Sequence, residues 1–348
     1  MRSLWTAIGP LVVGAAVLLG LDLLAQQVLG GYVQKVLLDI GINVIAAVSL
    51  TVVNGFTGQF SIGHAGFMAV GAYASSAVTH YFLLSHQMSI VPPDPMVVPL
   101  FALALLGGGL LAAVFGYVVG LPSLRLRGDY LAIVTLGFGE IFRVIVQNTG
   151  GQLSAGEIRG LSTVSWFGHL GGSLGFSNVP LYTTFFWVYL FVLVTVGVAV
   201  RLLHSTHGRA FLSVRENEVA AEAIGIDTTR YKVRAFVLGA FFAGIAGGLG
   251  AHLVGAIDPK DYGFMRSFEI VIMVVLGGMG SISGAILAAI LLTFLPEGLR
   301  ALQGTFGTGE YRMVLYSVAL IVLMLVRPRG LFGSGEIWTA FARKRGGA

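Results

Sequence analysis

The 348-residue chain contains no cysteine, which excludes thiolate catalysis, cysteine-ligated metals and disulfide staples together. Charge is scarce as well. Asp, Glu, Lys and Arg make up 11% of the residues, where a soluble domain carries about 25%. Sixteen acids and 21 bases do not cover the surface of a water-soluble fold of this size. A cytosolic enzyme, a disordered chain and a disulfide-rich secreted module are thereby ruled out. The four lysines follow Gln34, Tyr231, Pro259 and Arg343, never glycine. A P-loop needs a lysine directly after a glycine-rich phosphate cradle, so the chain has none.

Apolar residues and glycine are in surplus. The chain is 56% hydrophobic with a mean hydropathy of +0.87. Its 50 glycines are about twice the usual share of about 7%. This composition points to an all-α polytopic membrane protein whose helices approach closely at small residues. A net charge of +5 would direct a soluble protein towards nucleic acid. In a membrane protein the bases mark cytoplasmic loops instead, so the expected partner is the bilayer and not nucleic acid.

A spanning helix needs about 20 mainly apolar residues. Candidate spans cover 4–24, 36–53, 62–84, 97–121, 131–146, 181–200, 235–257, 269–295 and 314–326. The first exceeds the roughly 7–15-residue apolar core of a cleavable signal and reads as a retained helix. Pro92, Pro93 and Pro95 break the chain before the fourth. The whole chain is read as a single transmembrane domain, 1–348, with a glycine-rich loop at 148–180, a charged loop at 201–234 and a basic tail at 327–348. Placing Arg2, the 122–130 loop, the 201–234 loop and the tail on one side puts 14 of the 21 bases there. The asymmetry predicts that both termini are cytoplasmic. The basic tail ends on that side only if 269–295 enters and returns to the same face, hinged at 277–284. The expectation is eight full spans plus one re-entrant or broken segment. Such a break is tolerated where protein or water covers the backbone.

A related glycine-rich break occupies 54–67, and Gly55, Gly58 and Ser61 match Gly277, Gly280 and Ser283 at one offset. Paired glycine-interrupted segments are the best sequence pointer to a transport path. Its candidate lining residues are Asn54, Thr57, Gln59, Ser61 and His64 at the first break and Gly277, Gly278 and Gly280 at the second. The polar residues either offer hydrogen bonds to a solute or satisfy one another at a helix kink. Glu140 and Arg143, at i and i+3, share a helix face. They either line the path or form a structural ion pair, and Glu269 invites the same two readings. His204 and His207 have no acidic partner and read as interfacial residues. The small-residue tracts 243–255 and 277–284 read as packing seams.

The charged loop carries the strongest local signal. Ser213 and Glu216 match a helix capping box, and Gly225 stands where a helix C-cap belongs. Between them Val219, Ala220, Ala223 and Ile224 form a small apolar stripe flanked by Glu216, Glu218 and Glu222. This helix either docks in a groove on another protein or packs on its own membrane domain.

Residues 214–236, "VRENEVAAEAIGIDTTRYKVRAF", resemble the coupling loop of ABC importer permeases. Together with "NGFTGQFSIGHAGFMAVGAY" (54–73), "LRLRGDYLAIVTLGFGEIFR" (124–143) and "FEIVIMVVLGGMGSISGAI" (268–286), they make the chain similar to LivM-type permeases of branched-chain amino acid ABC transporters. The resemblance implies ATPase docking by the short helix, with Glu216, Glu218, Ala220, Ala221, Glu222 and Gly225 as its coupling residues. It further implies a second related permease subunit, two ATPase subunits that bind ATP and Mg, and an extracytoplasmic binding protein facing loop 148–180. The chain itself then performs no covalent chemistry and holds no cofactor, and its place is the cell inner membrane. Urea, amides and aromatic acids are alternative substrates at this level. An ion- or proton-coupled carrier using Glu140, Arg143 and Glu269 is the rival reading, and it has no need of the short helix.

Overall fold

In a bilayer every backbone N–H and C=O must find its partner within the protein, and this chain answers with helices. The computed structural model describes residues 30–89, 97–124, 130–154, 156–158 and 163–306, with shorter pieces within 14–28 and 317–336. The helices are α1 (Gly31–Leu50), α2 (His64–Ser85), α3 (Val98–Ser123), α4 (Tyr130–Gln147), α5 (Thr163–Trp166), α6 (Phe185–His204), α7 (Thr206–Glu216), α8 (Glu218–Ala223), α9 (Thr228–Val254), α10 (Phe264–Gly277) and α11 (Ile282–Phe306). Among the described residues the only β-pairing is an isolated bridge between Phe176 and Ile257. Among the described residues, six helices are long and apolar enough to cross a membrane: α1 with its extension to Phe56, α2, α3, α4, α6 and α9. The chain is a polytopic all-α membrane protein. Most of the expected spans 4–24 and 314–326 lies outside the described residues, as do the proline break at 92–95 and residues 337–348 of the tail.

Differences from the expected spans have local causes. Helix α9 begins seven residues before the apolar run at 235, because Asp227 caps it by accepting the Arg230 N–H at 3.0 Å. Hydropathy finds the lipid-immersed part of a helix; a cap sets where the helix starts. Segment 269–295 is broken where the glycines predict. Helix α10 stops at Gly277, α11 starts at Ile282, and Gly278 and Gly280 between them take φ of 108° and 94°. The two halves fold back on each other so closely that a Cβ at Gly277 would lie 2.4 Å from the Gly284 carbonyl carbon. The first break is milder. Helix α1 loosens into a π-helical stretch, Thr51–Phe56, and the chain then runs without regular helix to His64.

The centre of the bundle is the crossing of α2, α3 and α9. Their glycines let backbones touch: a Cβ on Gly247 would meet the Met68 carbonyl oxygen at 1.9 Å, and one on Gly71 the Gly244 carbonyl oxygen at 2.0 Å. Such contact is how helices associate where lipid removes the hydrophobic drive. The tract 243–255 is therefore a packing seam. Polar side chains reinforce it, as buried His252 Nε2 and Thr79 Oγ1 bond at 2.8 Å between α9 and α2.

Among its described residues, loop 148–180 is a folded cap. Phe176 and Ile257 exchange backbone hydrogen bonds of 2.8 Å in both directions. Trp166, Leu170, Phe176 and Val179 pack with Tyr73, Tyr81 and Ile257 in one buried cluster. Gln152 ties the loop to α2 by donating to the His80 Nε2 at 2.8 Å and to the Ser177 carbonyl at 2.7 Å. On its surface, the Ser154 N–H and hydroxyl hold the Glu157 carboxyl below the usual carboxylate range.

The glycine seam makes a direct prediction. Gly247→Val should destabilise the purified protein by about 1–3 kcal/mol through overpacking, read as a lower unfolding temperature in detergent. Gly250→Ala, three residues away with nothing within 4 Å of the added Cβ, should leave that temperature unchanged or raise it slightly, since alanine favours the helix.

Candidate functional site

The short helix of the charged loop is built by its caps. Helix α7 ends at Glu216, and the chain turns through Asn217 in an extended conformation, φ −160° and ψ 109°. From there the Asn217 Oδ1 accepts the Ala220 N–H at 3.0 Å and starts α8. The expected Ser213–Glu216 capping box does not form. Ser213 lies inside α7, where its hydroxyl donates to the Ala210 carbonyl at 2.8 Å. A cap must lie outside the helix with its side chain facing the free N–H groups, and Asn217 meets that condition. The predicted end is present. Gly225, at φ +87°, sends its N–H to the Glu222 carbonyl while Ile226 sends its own to Ala221, the Schellman closure.

Hydrogen bonds divide the residues of α8 between two faces. Glu218 pairs with the buried Lys232 Nζ of α9 at 2.5 Å, and Glu222 accepts from Thr228 Oγ1 at 2.9 Å. Ala221 is buried on the same side. This face pins α8 to the foot of α9. The opposite face carries Ala220, Ala223 and Gly225 in the open, with Val219 61% and Ile224 75% exposed. Glu216 is exposed and paired with Arg215 at 2.8 Å.

Arg215 connects this helix to the two glycine breaks. Its Nη1 donates to the Gly55 carbonyl at 3.0 Å. Its Cγ lies 3.0 Å from where a Gly58 Cβ would be, and a Cβ on Gly280 would lie 2.6 Å from Nη1. The breaks themselves touch, since a Cβ on Gly55 would lie 2.6 Å from the Gly280 nitrogen. Two sequence-distant interruptions thus meet face to face, with one guanidinium wedged between them. The second break is held from behind by Glu336, whose carboxylate accepts the N–H groups of Ile282 and Ser283 at 2.7 and 3.1 Å and the Ser283 hydroxyl at 2.6 Å. Leu331 donates to the Leu276 carbonyl at 2.8 Å beside it.

The other sequence candidates divide into groups. Asn54 Oδ1 accepts the Ser61 N–H at 3.2 Å, closing the first break, while Asn54 Nδ2 and the Ser61 hydroxyl are buried without a protein partner among the described residues. Thr57 bonds its own helix through the Val53 carbonyl, and Gln59 Nε2 reaches the Thr57 carbonyl only at 3.5 Å. His64 pairs with Ser49 at 2.7 Å, joining α2 to α1. Glu140 and Arg143 form a two-point ion pair at 2.7 Å on α4, near Gly263 at the entry to α10. Glu269 pairs with Arg266 at 3.0 Å, and Arg266 also donates to Asn43 Oδ1 at 2.7 Å. The structure therefore brings the two breaks and α8 together, and leaves Glu140, Arg143 and Glu269 apart from them. Arg215 and Glu336 were not singled out from sequence. The only signal for Arg215 was its place directly before the α8 stripe.

A family model described as "Branched-chain amino acid transport system / permease component" matches residues 32–325. The "High-affinity branched-chain amino acid transport system permease protein LivM" of Escherichia coli (strain K12) is 37% identical over 311 residues, covering 83% of this chain and 67% of that protein. The permease protein LivH of Salmonella typhimurium is 26% identical over 298 residues, covering 84% and 92%. The corresponding protein BraD of Pseudomonas aeruginosa shares 26% identity over the same length. No solved structure matches the chain. With residues 32–325 matched, the chain belongs to the permease component family of branched-chain amino acid transport systems.

Proposed function

We propose that this chain is one membrane subunit of an ATP-driven importer for branched-chain amino acids. In this reading it lies in the cell inner membrane with both termini and α8 in the cytoplasm. It works with a second related permease, two ATPases carrying ATP and Mg, and an extracytoplasmic binding protein that meets the folded 148–180 cap. The observation that supports it best is α8 itself. The helix is capped at both ends and pinned through Glu218 and Lys232, yet it turns Val219 and Ile224 outward. A helix that only packed on its own domain would bury those side chains. The absence of a P-loop requires the energy source to be on a partner.

Closure of the ATPases on ATP would move α8 as a rigid piece. The pin to α9 and the Arg215 contact carry that movement to the breaks at 55–58 and 277–280, where the backbone is already free of regular helix. Opening and closing those breaks alternates access to the path.

Reconstitution of the five components in proteoliposomes tests the reading, with L-leucine uptake required to depend on ATP. A Val219→Glu/Ile224→Glu double variant should insert normally but lose ATPase co-purification roughly 30-fold, the scale of a lost interface hot spot. Leucine uptake by this chain in vesicles without ATP and ATPases would contradict the proposal.

A further inference from the structure

At the end of α9 remote from α8 lies a cavity of about 290 Å³ between α1, α2, α9 and the start of α10. Helix α9 has 27 residues, about 40 Å at 1.5 Å per residue, so the cavity and the Arg215 wedge are at opposite ends of the bundle. Its lining is mixed. Ile42, Met68 and Ile257 give buried apolar walls, while Asp39, Asp261 and Arg266 give charge.

The charges do not satisfy one another. Neither carboxylate lies within 4.0 Å of the guanidinium. Arg266 uses one N–H on Asn43 and one on Glu269, which leaves three of its five donors. Asp39 makes no hydrogen bond or ion pair among the described residues, although it stands within electrostatic range of Lys35 and Arg266. Opposite charges held apart across a small gap, with an aliphatic wall beside them, match a zwitterion that carries an apolar side chain. The volume is close to the lower end of small-molecule pockets, roughly 300–1,000 Å³, which suits one free amino acid and not a peptide. Position agrees. Ile257 lines the cavity and is the residue bonded to Phe176 of the folded cap, so the cavity opens beneath the surface proposed to receive the binding protein.

We infer that this cavity is a membrane subsite for the imported aliphatic amino acid. The Arg266 guanidinium takes the α-carboxylate, Asp39 and Asp261 take the α-ammonium, and Ile42, Met68 and Ile257 hold the side chain. The inference rests on the importer reading above and assigns it a place within this chain.

Because the chain has no cysteine, Ala256→Cys places a single thiol at the cavity rim, where Ala256 is exposed. In the assembled transport complex, saturating L-leucine should slow modification of that thiol by a methanethiosulfonate reagent. Leucinol, which lacks the carboxylate, and 4-methylpentanoate, which lacks the ammonium, should protect far less. Asp39→Asn or Arg266→Gln in the same background should weaken leucine protection about 30-fold in concentration, the scale of one lost charge-assisted hydrogen bond. Because Arg266 also supports Asn43 and Glu269, Ile42→Trp serves as a second variant that fills the cavity without touching a charge, and it too should abolish protection. Equal labelling with and without leucine, in a complex that still imports leucine, would overturn the subsite and leave the importer reading standing. Equal protection by 4-methylpentanoate would overturn the ammonium site. A wild-type complex that does not import leucine would overturn the importer reading and the subsite with it.

Discussion

One hydrogen bond joins the two ends of this molecule's logic: Arg215 Nη1 to the Gly55 carbonyl. Gly55 is in a π-helical stretch and Gly280 in a helix break, and both offer backbone that regular helix would have consumed. The guanidinium fits there because Gly280 has no side chain, and the two backbones approach too closely for a Cβ on Gly55. A charge-assisted hydrogen bond is worth about 1.5–3 kcal/mol net, and the partly exposed Arg215 belongs near the lower end. That is small beside the packing energy of the bundle. It is comparable to the free energy that couples two sites, which is what a transmission element must supply.

The same economy explains the composition. In lipid, burial of apolar surface does not drive helices together, so this fold relies on close contact at Gly71, Gly244 and Gly247 and on buried hydrogen bonds such as His252 to Thr79. The few charges are then free for other work. Glu218 and Lys232 set the attitude of α8, Glu336 closes the second break, and Arg266 with Asp39 furnishes one cavity. Glu336 and the Arg266–Asp39 cavity bring together segments far apart in the chain.

That distance separates what was legible in the sequence from what was not. Helix α8, its end at Gly225 and the interruption at 278–281 follow from local rules, because a cap or a glycine break is decided within a few residues. The cap residue itself was misplaced by four positions. Ser213 fits the capping pattern as a string, but α7 runs through it, and only the turn at Asn217 shows where the free N–H groups are. Arg215 and Glu336 were missed for a different reason. Their partners, Gly55 and the Ile282 and Ser283 amides, lie 160 and about 54 residues away. The match of Gly55 and Gly58 to Gly277 and Gly280 hinted at a relation between the breaks, though not at their contact. From sequence, 148–180 is no more than a glycine-rich loop, yet its few aromatics hold it down on Tyr73 and Tyr81.

If α8 moves the breaks through Arg215, removing that side chain should separate hydrolysis from transport. The most direct test is the number of leucine molecules imported per ATP hydrolysed by the reconstituted complex carrying Arg215→Ala. The account predicts that the ATPases still dock on Val219 and Ile224 and still hydrolyse ATP, while leucine imported per ATP falls about tenfold, within the usual range of coupling between sites. An unchanged ratio of leucine to ATP would contradict it.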